Sequence, residues 1–136
     1  MRFMMMVLAL LTMATSAAAV TRTYECSVKN SKQRSWIQPL IFIAHNEDTG
    51  QVIVSDPAIL GFNDGQPAVG KLMVNNAKRI TVKWSVDMVS ASNQKVTMNY
   101  RATYVKGNGQ VNVSAQPKHY ANTFNAGGTC KVGVLK

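Results

Sequence analysis

Between Arg79 and Ala115 the chain alternates apolar and polar residues over three successive segments. In the first, Ile80, Val82, Trp84, Val86 and Met88 alternate with Arg79, Thr81, Lys83, Ser85 and Asp87. In the second, Val96, Met98, Tyr100, Ala102 and Tyr104 alternate with Lys95, Thr97, Asn99, Arg101 and Thr103. Val111, Val113 and Ala115 continue the pattern against Asn112 and Ser114. Side chains of a strand point to opposite faces with period two, so these are three strands with one buried and one wet face.

The connections suggest a register. Asn108-Gly109 is a preferred type I′ turn centre, because both residues tolerate positive φ. Centring the turn there pairs Gly107 with Gln110, Tyr104 with Val113 and Ala102 with Ala115. For the earlier pair, facing apolar to apolar sets Met88 against Val96, Val86 against Met98, Trp84 against Tyr100 and Val82 against Ala102. A two-residue slip keeps every side chain on the same face, so patterning alone does not choose between such registers.

Further strands flank this unit. Tyr24, Cys26 and Val28 form an apolar face near the start, and Cys130, Val132 and Val134 form one near the end. Leu40 to Ile43 is apolar at every position, so both its faces are covered or one meets a partner. Val52 to Val54 is a short strand, and Ala68, Gly70, Leu72 and Val74 mark another. A short loop near Asn75–Lys78 leads into Arg79, and for Val74 to face Ile80 it must hold an odd number of residues. Between these strands, Asp56-Pro57 opens a helical turn as N-cap and N1, and Gly61 is its expected stop. Ile59, Leu60 or Phe62 would plug a neighbouring surface, with the outer face of the Leu40–Ile43 strand as one choice.

The expected class is all-β: an antiparallel meander of about eight strands. A meander whose first and last strands meet is a closed up-and-down barrel, which also removes exposed edges. The alternative is a two-sheet β-sandwich, with the long connection from Asp56 to Pro67 crossing between sheets.

Residues 1–19 read as a signal peptide: Arg2, an apolar run from Phe3 to Leu11, and Ala17-Ala18-Ala19 as the cleavage site. Cleavage there leaves a single β domain over residues 20–136, exported to the periplasm or secreted, with no transmembrane segment in the mature chain. Removing Arg2 from the 15 Lys and Arg leaves 14 against 6 Asp and Glu, a net charge near +8. Such an excess favours anionic partners. Cys26 and Cys130 are the only cysteines, and in an exported chain a disulfide between them is the economical reading. It would tie the first strand to the last.

The frame Tyr24-x-Cys26-x-Val28 and Gly128-x-Cys130-x-Val132, behind a signal peptide, resembles small uncharacterised exported β-proteins of Gram-negative bacteria. Periplasmic lysozyme inhibitors are similar in size, fold class and disulfide use, but no inhibitory motif of theirs stands in this sequence. Lipocalin-like carriers are similar in the barrel alone.

No nucleophile elbow, zincin motif, phosphate-cradling glycine loop or EF-hand loop occurs. No catalytic residue, cofactor or metal is therefore expected. His45, Glu47 and Asp48 are the densest metal-capable group, but they would need a further ligand such as His119. Two surfaces stand out instead. One is the outer face of the organising strands, where Lys83 opposite Arg101, with Arg79 and Lys95, makes a candidate anion site. The other is the inner face, where Tyr24, Trp84, Tyr100 and Tyr104 either fill the barrel or line a ligand pocket. Trp36, Tyr120 and Phe124, near Lys32, Arg34 and Lys118, form a third, loop-borne group.

The leading expectation is a non-enzymatic exported binding protein whose basic β-scaffold engages an anionic surface, glycan or protein. A specific nucleic acid is not among the expected partners. The alternatives are a lipocalin-like carrier of a small apolar ligand and an enzyme of unrecognised type.

Overall fold

The computed structural model of the chain describes residues 20–29 and 36–135. The expected signal peptide lies outside these residues, as do Lys32 and Arg34. The strands are β1 Thr21–Lys29, β2 Leu40–Asn46, β3 Val52–Ser55, β4 Ala68–Asn75, β5 Arg79–Val89, β6 Lys95–Val105, β7 Gln110–Pro117 and β8 Phe124–Leu135. Each pairs antiparallel with its neighbour in sequence, and β1 pairs with β8, so the sheet closes into an up-and-down barrel. The sandwich alternative is excluded because β3 and β4, which flank the long connection, are hydrogen-bonded neighbours.

Cys26 and Cys130 face each other directly in the β1–β8 register and form a disulfide. The covalent bond therefore sits across the closing seam. It spans 104 residues of sequence, and in the chain-entropy description a loop of that size restricts the unfolded chain by about 4.7 kcal/mol.

The β5–β6 register is the one that the binary pattern favours, with Met88↔Val96, Trp84↔Tyr100 and Val82↔Ala102. The β6–β7 register differs by two residues from the type I′ expectation: Tyr104 pairs with Val111 and Ala102 with Val113. The reason lies in the turn. Only Gly109 has positive φ (73°), and its N–H donates to the Val105 carbonyl at 3.0 Å. Lys106 to Gly109 is thus a four-residue loop ending in a left-handed glycine, a common longer hairpin connection. Because the slip is two residues, every side chain keeps its expected face.

Strand β4 contains a bulge. Leu72 pairs with Val82 but Val74 with Thr81, so Met73 is the extra residue. Val74 stands beside Thr81 instead of Ile80 because the β4–β5 loop pairs Asn75 with Ile80, an even connection, and the bulge then offsets that one-residue shift. The Asn76 side chain fixes that loop by accepting from the N–H groups of Lys78 and Arg79 at 2.9 and 3.0 Å.

Helix α1, Pro57–Phe62, begins as the sequence suggests: the Asp56 carboxylate accepts from the Ile59 N–H at 2.7 Å, and Pro57 occupies the first turn. Gly61 is not its stop. It lies within the helix, and Asn63 is the C-cap, its N–H donating to the Ile59 carbonyl at 2.8 Å. Ile59 is fully buried and packs toward β5, so the helix closes one end of the barrel and does not cover the outer face of β2. Leu40 and Phe42 on that outer face stay exposed, as do Leu60 and Phe62 on the helix.

Side chains fill the interior. Trp84 stacks on Tyr100 with centroids 5.3 Å apart, and Tyr24 meets Tyr104 edge-on at 5.2 Å. Tyr100 donates to the Trp36 carbonyl at 2.8 Å, drawing the β1–β2 connection onto the same barrel end as α1. The enclosed space bounded by Tyr24, Ile43, Ile80, Val82, Ala102, Tyr104 and Val111 is only about 10 Å³, with a wholly apolar lining.

Candidate functional site

Charge gathers on the outside of the barrel. Along one row of the sheet, Lys71 on β4 pairs with Lys83 on β5, Lys83 with Arg101 on β6, and Arg101 with Ser114 on β7. Three cations thus stand on adjacent strands, each directly opposite the next. All three side chains are exposed. In the next row toward the helix end, Ser85 pairs with Asn99 and Asn99 with Gln116, and the Ser85 hydroxyl donates to the Asn99 side-chain carbonyl at 2.7 Å.

These two rows form the floor of a shallow open groove of about 700 Å³, bounded by Val69 on one side and Thr123 on the other. Among the described residues, no carboxylate lines it. The sole ion pair among the described residues joins Arg22 to Glu47, so none of the three cations is neutralised within the described fold. The nearest acidic residue along β5, Asp87, faces the adjoining groove beneath α1 and accepts from the Thr97 hydroxyl at 2.7 Å. Like charges directly opposite on neighbouring strands repel. What the arrangement offers chemically is a linear array of donors for phosphate, sulfate or carboxylate oxygens, flanked by neutral hydroxyl and amide groups.

The four residues of the sequence-derived anion site separate here. Lys83 and Arg101 lie together at the groove's centre. Arg79 pairs with Val105 at one end of the β5–β6 ladder and Lys95 with Val89 at the other, and neither lines the groove. Lys71 takes the place that sequence reasoning left empty. The bulge keeps it there: the turn shifts Val74 onto Thr81, and Met73 as an extra residue restores Lys71 to Lys83. The alternation of Ala68, Gly70, Leu72 and Val74 places Lys71 outward, and the expected Val74–Ile80 register would set it against Lys83, so the signal for this residue stands in the sequence.

The four candidate pocket residues also divide. Trp84 and Tyr100 are packed in the core, and burial pushes the Tyr100 hydroxyl well above its ordinary range, with Asp56 adding to the effect. Tyr24 and Tyr104 border the small interior cavity on one side and an open cleft on the other. That cleft, about 370 Å³, lies at the barrel end opposite α1 and also involves Arg22, Glu47, Lys106 and Val132. The Arg22 Nε donates to Glu47 at 2.6 Å, and this bond holds the Glu47 carboxyl below its usual range. His45, buried nearby, is pushed below its ordinary pKa by burial; Lys106 and Arg22 add to that, and Glu47 opposes it.

His45 and His119 lie at opposite ends of the barrel. His45 precedes the β2–β3 turn, whereas His119 sits in the β7–β8 connection, on the end that carries α1. No three His, Cys, Asp or Glu side chains among the described residues are grouped to hold a metal ion. The loop aromatics Trp36, Tyr120 and Phe124 do share the α1 end, but Trp36 and Phe124 pack against the core. Tyr120 alone of the three is broadly exposed, at 64%.

No protein-family model, curated protein or solved structure matches the chain.

Proposed function

We propose that this protein is an exported, non-enzymatic binding module whose rigid barrel presents a cationic groove to an anionic partner. The observation that carries the reading is the row Lys71–Lys83–Arg101, three cations in direct cross-strand register in a groove without a carboxylate. A row of mutually repelling charges costs folding free energy, and an anion lying across it would relieve that cost. Export is supported by the N-terminal pattern of residues 1–19 and by the disulfide, which suits an oxidising compartment.

The carrier alternative draws less support, because the interior cavity of about 10 Å³ holds at most a single water-sized body. An enzyme would need convergent acid, base or nucleophile groups, and the separation of His45 from His119 works against that.

The test is chromatography of the mature protein on an immobilised polyanion with salt elution. Lys83→Glu/Arg101→Glu should elute at markedly lower salt than wild type, while Arg79→Glu/Lys95→Glu, with the same change in net charge outside the groove, should elute later than the groove variant. Equal elution of the two variants would reduce the interaction to net charge and remove the groove from the account.

A further inference from the structure

The cationic row ends where an apolar surface begins. Val69 bounds the groove on the β4 side and is 75% exposed, more than any other large hydrophobic residue among those described. Its cross-strand partner on β3 is Ile53, also exposed. One strand further, Ala44 on β2 pairs with Ile53, and exposed Phe42 lies two residues along the same outer face. Toward the helix, Val69 and Ser85 are shared with a second groove of about 400 Å³, bordered by Phe62 and Pro67. The two grooves are therefore continuous through Val69. Lys71 and Lys83, with Arg101 at the edge, stand at one end of a connected surface, and Ile53, Val69 and Phe62 stand at the other.

A soluble polyanion would use the cations and leave the apolar end in water. An anionic membrane surface has both components side by side: phosphates at the headgroup level and acyl chains just beneath. We propose that the outer face of β3–β5 docks on an anionic lipid surface. Lys71 and Lys83 would meet headgroup phosphates, with Arg101 at the rim, while Val69, Ile53 and Phe62 enter the acyl boundary. The inference rests on the anion-binding reading above and names its partner class. Charge complementarity selects lipid over an uncharged apolar partner, and the exposed valine and isoleucine select it over a purely polar polyanion. Asp87 lies in the helix-side groove but is engaged by Thr97, away from the cation row.

The experiment is co-sedimentation of the mature, disulfide-bonded protein with vesicles of phosphatidylcholine alone and of phosphatidylcholine with phosphatidylglycerol, alongside titration with inorganic polyphosphate. Wild type should sediment only with the anionic vesicles, and less so as salt rises. Ile53→Ser/Phe62→Ser, at residues outside the cationic groove, should weaken vesicle binding by about tenfold, given the apolar area withdrawn from the bilayer, and leave polyphosphate binding within about twofold of wild type. Lys83→Glu/Arg101→Glu should lose both. Polyphosphate binding without vesicle binding would overturn the lipid inference, keep the anion-binding reading and turn attention to soluble polyanions or an acidic protein. Vesicle binding unaffected by Ile53→Ser/Phe62→Ser would overturn the apolar half. Binding to neither probe would overturn both readings.

Discussion

Lys83 and Arg101 are direct cross-strand partners on the outer face of the barrel, and Lys71 flanks Lys83 on its other side. Lys83 therefore has a like charge on both neighbouring strands. A pairing that served folding alone would set a carboxylate or a neutral residue there. On the proposed reading, binding and stability pull in opposite directions at this position.

Lys83→Glu should make that conflict measurable. It converts two repulsive contacts into attractive ones, a gain of roughly 0.2–1 kcal/mol for each. Urea unfolding should show a higher midpoint for the variant, and the same protein should bind polyphosphate more weakly. A variant less stable than wild type would mean that the like charges are already splayed apart in water.

Closure of the barrel depends on the β1–β8 seam. Cys26→Ala/Cys130→Ala removes the cross-link over 104 residues and should lower the unfolding free energy by up to about 4.7 kcal/mol. Urea titration of the double variant, or of the wild type with and without reductant, measures this directly.

Gly128 lies in the same seam, opposite Val28. A β-carbon there would run into the Ser27 backbone, whereas one on Gly107 in the β6–β7 turn meets nothing. Gly128→Ala should therefore destabilise by about 1–3 kcal/mol, the usual range for overpacking, while Gly107→Ala stays within about 0.5 kcal/mol of wild type. Thermal melts of the two variants distinguish a tight seam from a general sensitivity to alanine.

His45 should make stability fall as pH falls. Its folded pKa is depressed by burial, with Lys106 and Arg22 acting in the same direction and Glu47 against it. Near and below the ordinary value of 6.5, the unfolded chain therefore binds more protons than the folded one, so stability rises with pH in that window. The contribution is complete above the unfolded pKa and is lost as pH drops toward the folded value. Melting temperatures of wild type should decline between about pH 7.5 and pH 5, and His45→Gln should flatten that decline. Glu47 is shifted down by its hydrogen bond from Arg22, whereas Asp56 is shifted up by burial, a change that acts against that of His45.

The barrel was legible because period-two alternation assigns faces without any knowledge of partners. Trp84, Tyr100, Val82 and Ala102 fell on the inner face, and the Cys26–Cys130 pair pointed to the closing strands. The features that escaped are those in which a single residue changes the count. Asn108-Gly109 carries a strong local turn signal, yet only Gly109 adopts positive φ, and β6–β7 pairs two residues away from the type I′ register. Met73 has nothing in its side chain that marks a bulge, yet that one residue offsets the shifted β4–β5 turn and keeps Lys71 opposite Lys83. Lys83 and Arg101 follow from alternation within one hairpin, and Lys71 follows from the expected Val74–Ile80 register, although the turn and the bulge that produce its pairing are not written in the pattern. Alternation could not exclude Arg79 or Lys95 either, because it gives a face and not a position along the groove.

The central claim is that anions bind across β4, β5 and β6 and not at the ends of the barrel. Backbone amide chemical-shift mapping of the isotope-labelled mature protein during titration with polyphosphate tests it most directly. The account predicts that the largest shifts cluster at Lys71, Lys83, Arg101 and Ser114 and shrink as salt is added. Shifts confined to the Arg22–Lys106 cleft, or to the loop around Lys118 and Tyr120, would contradict it.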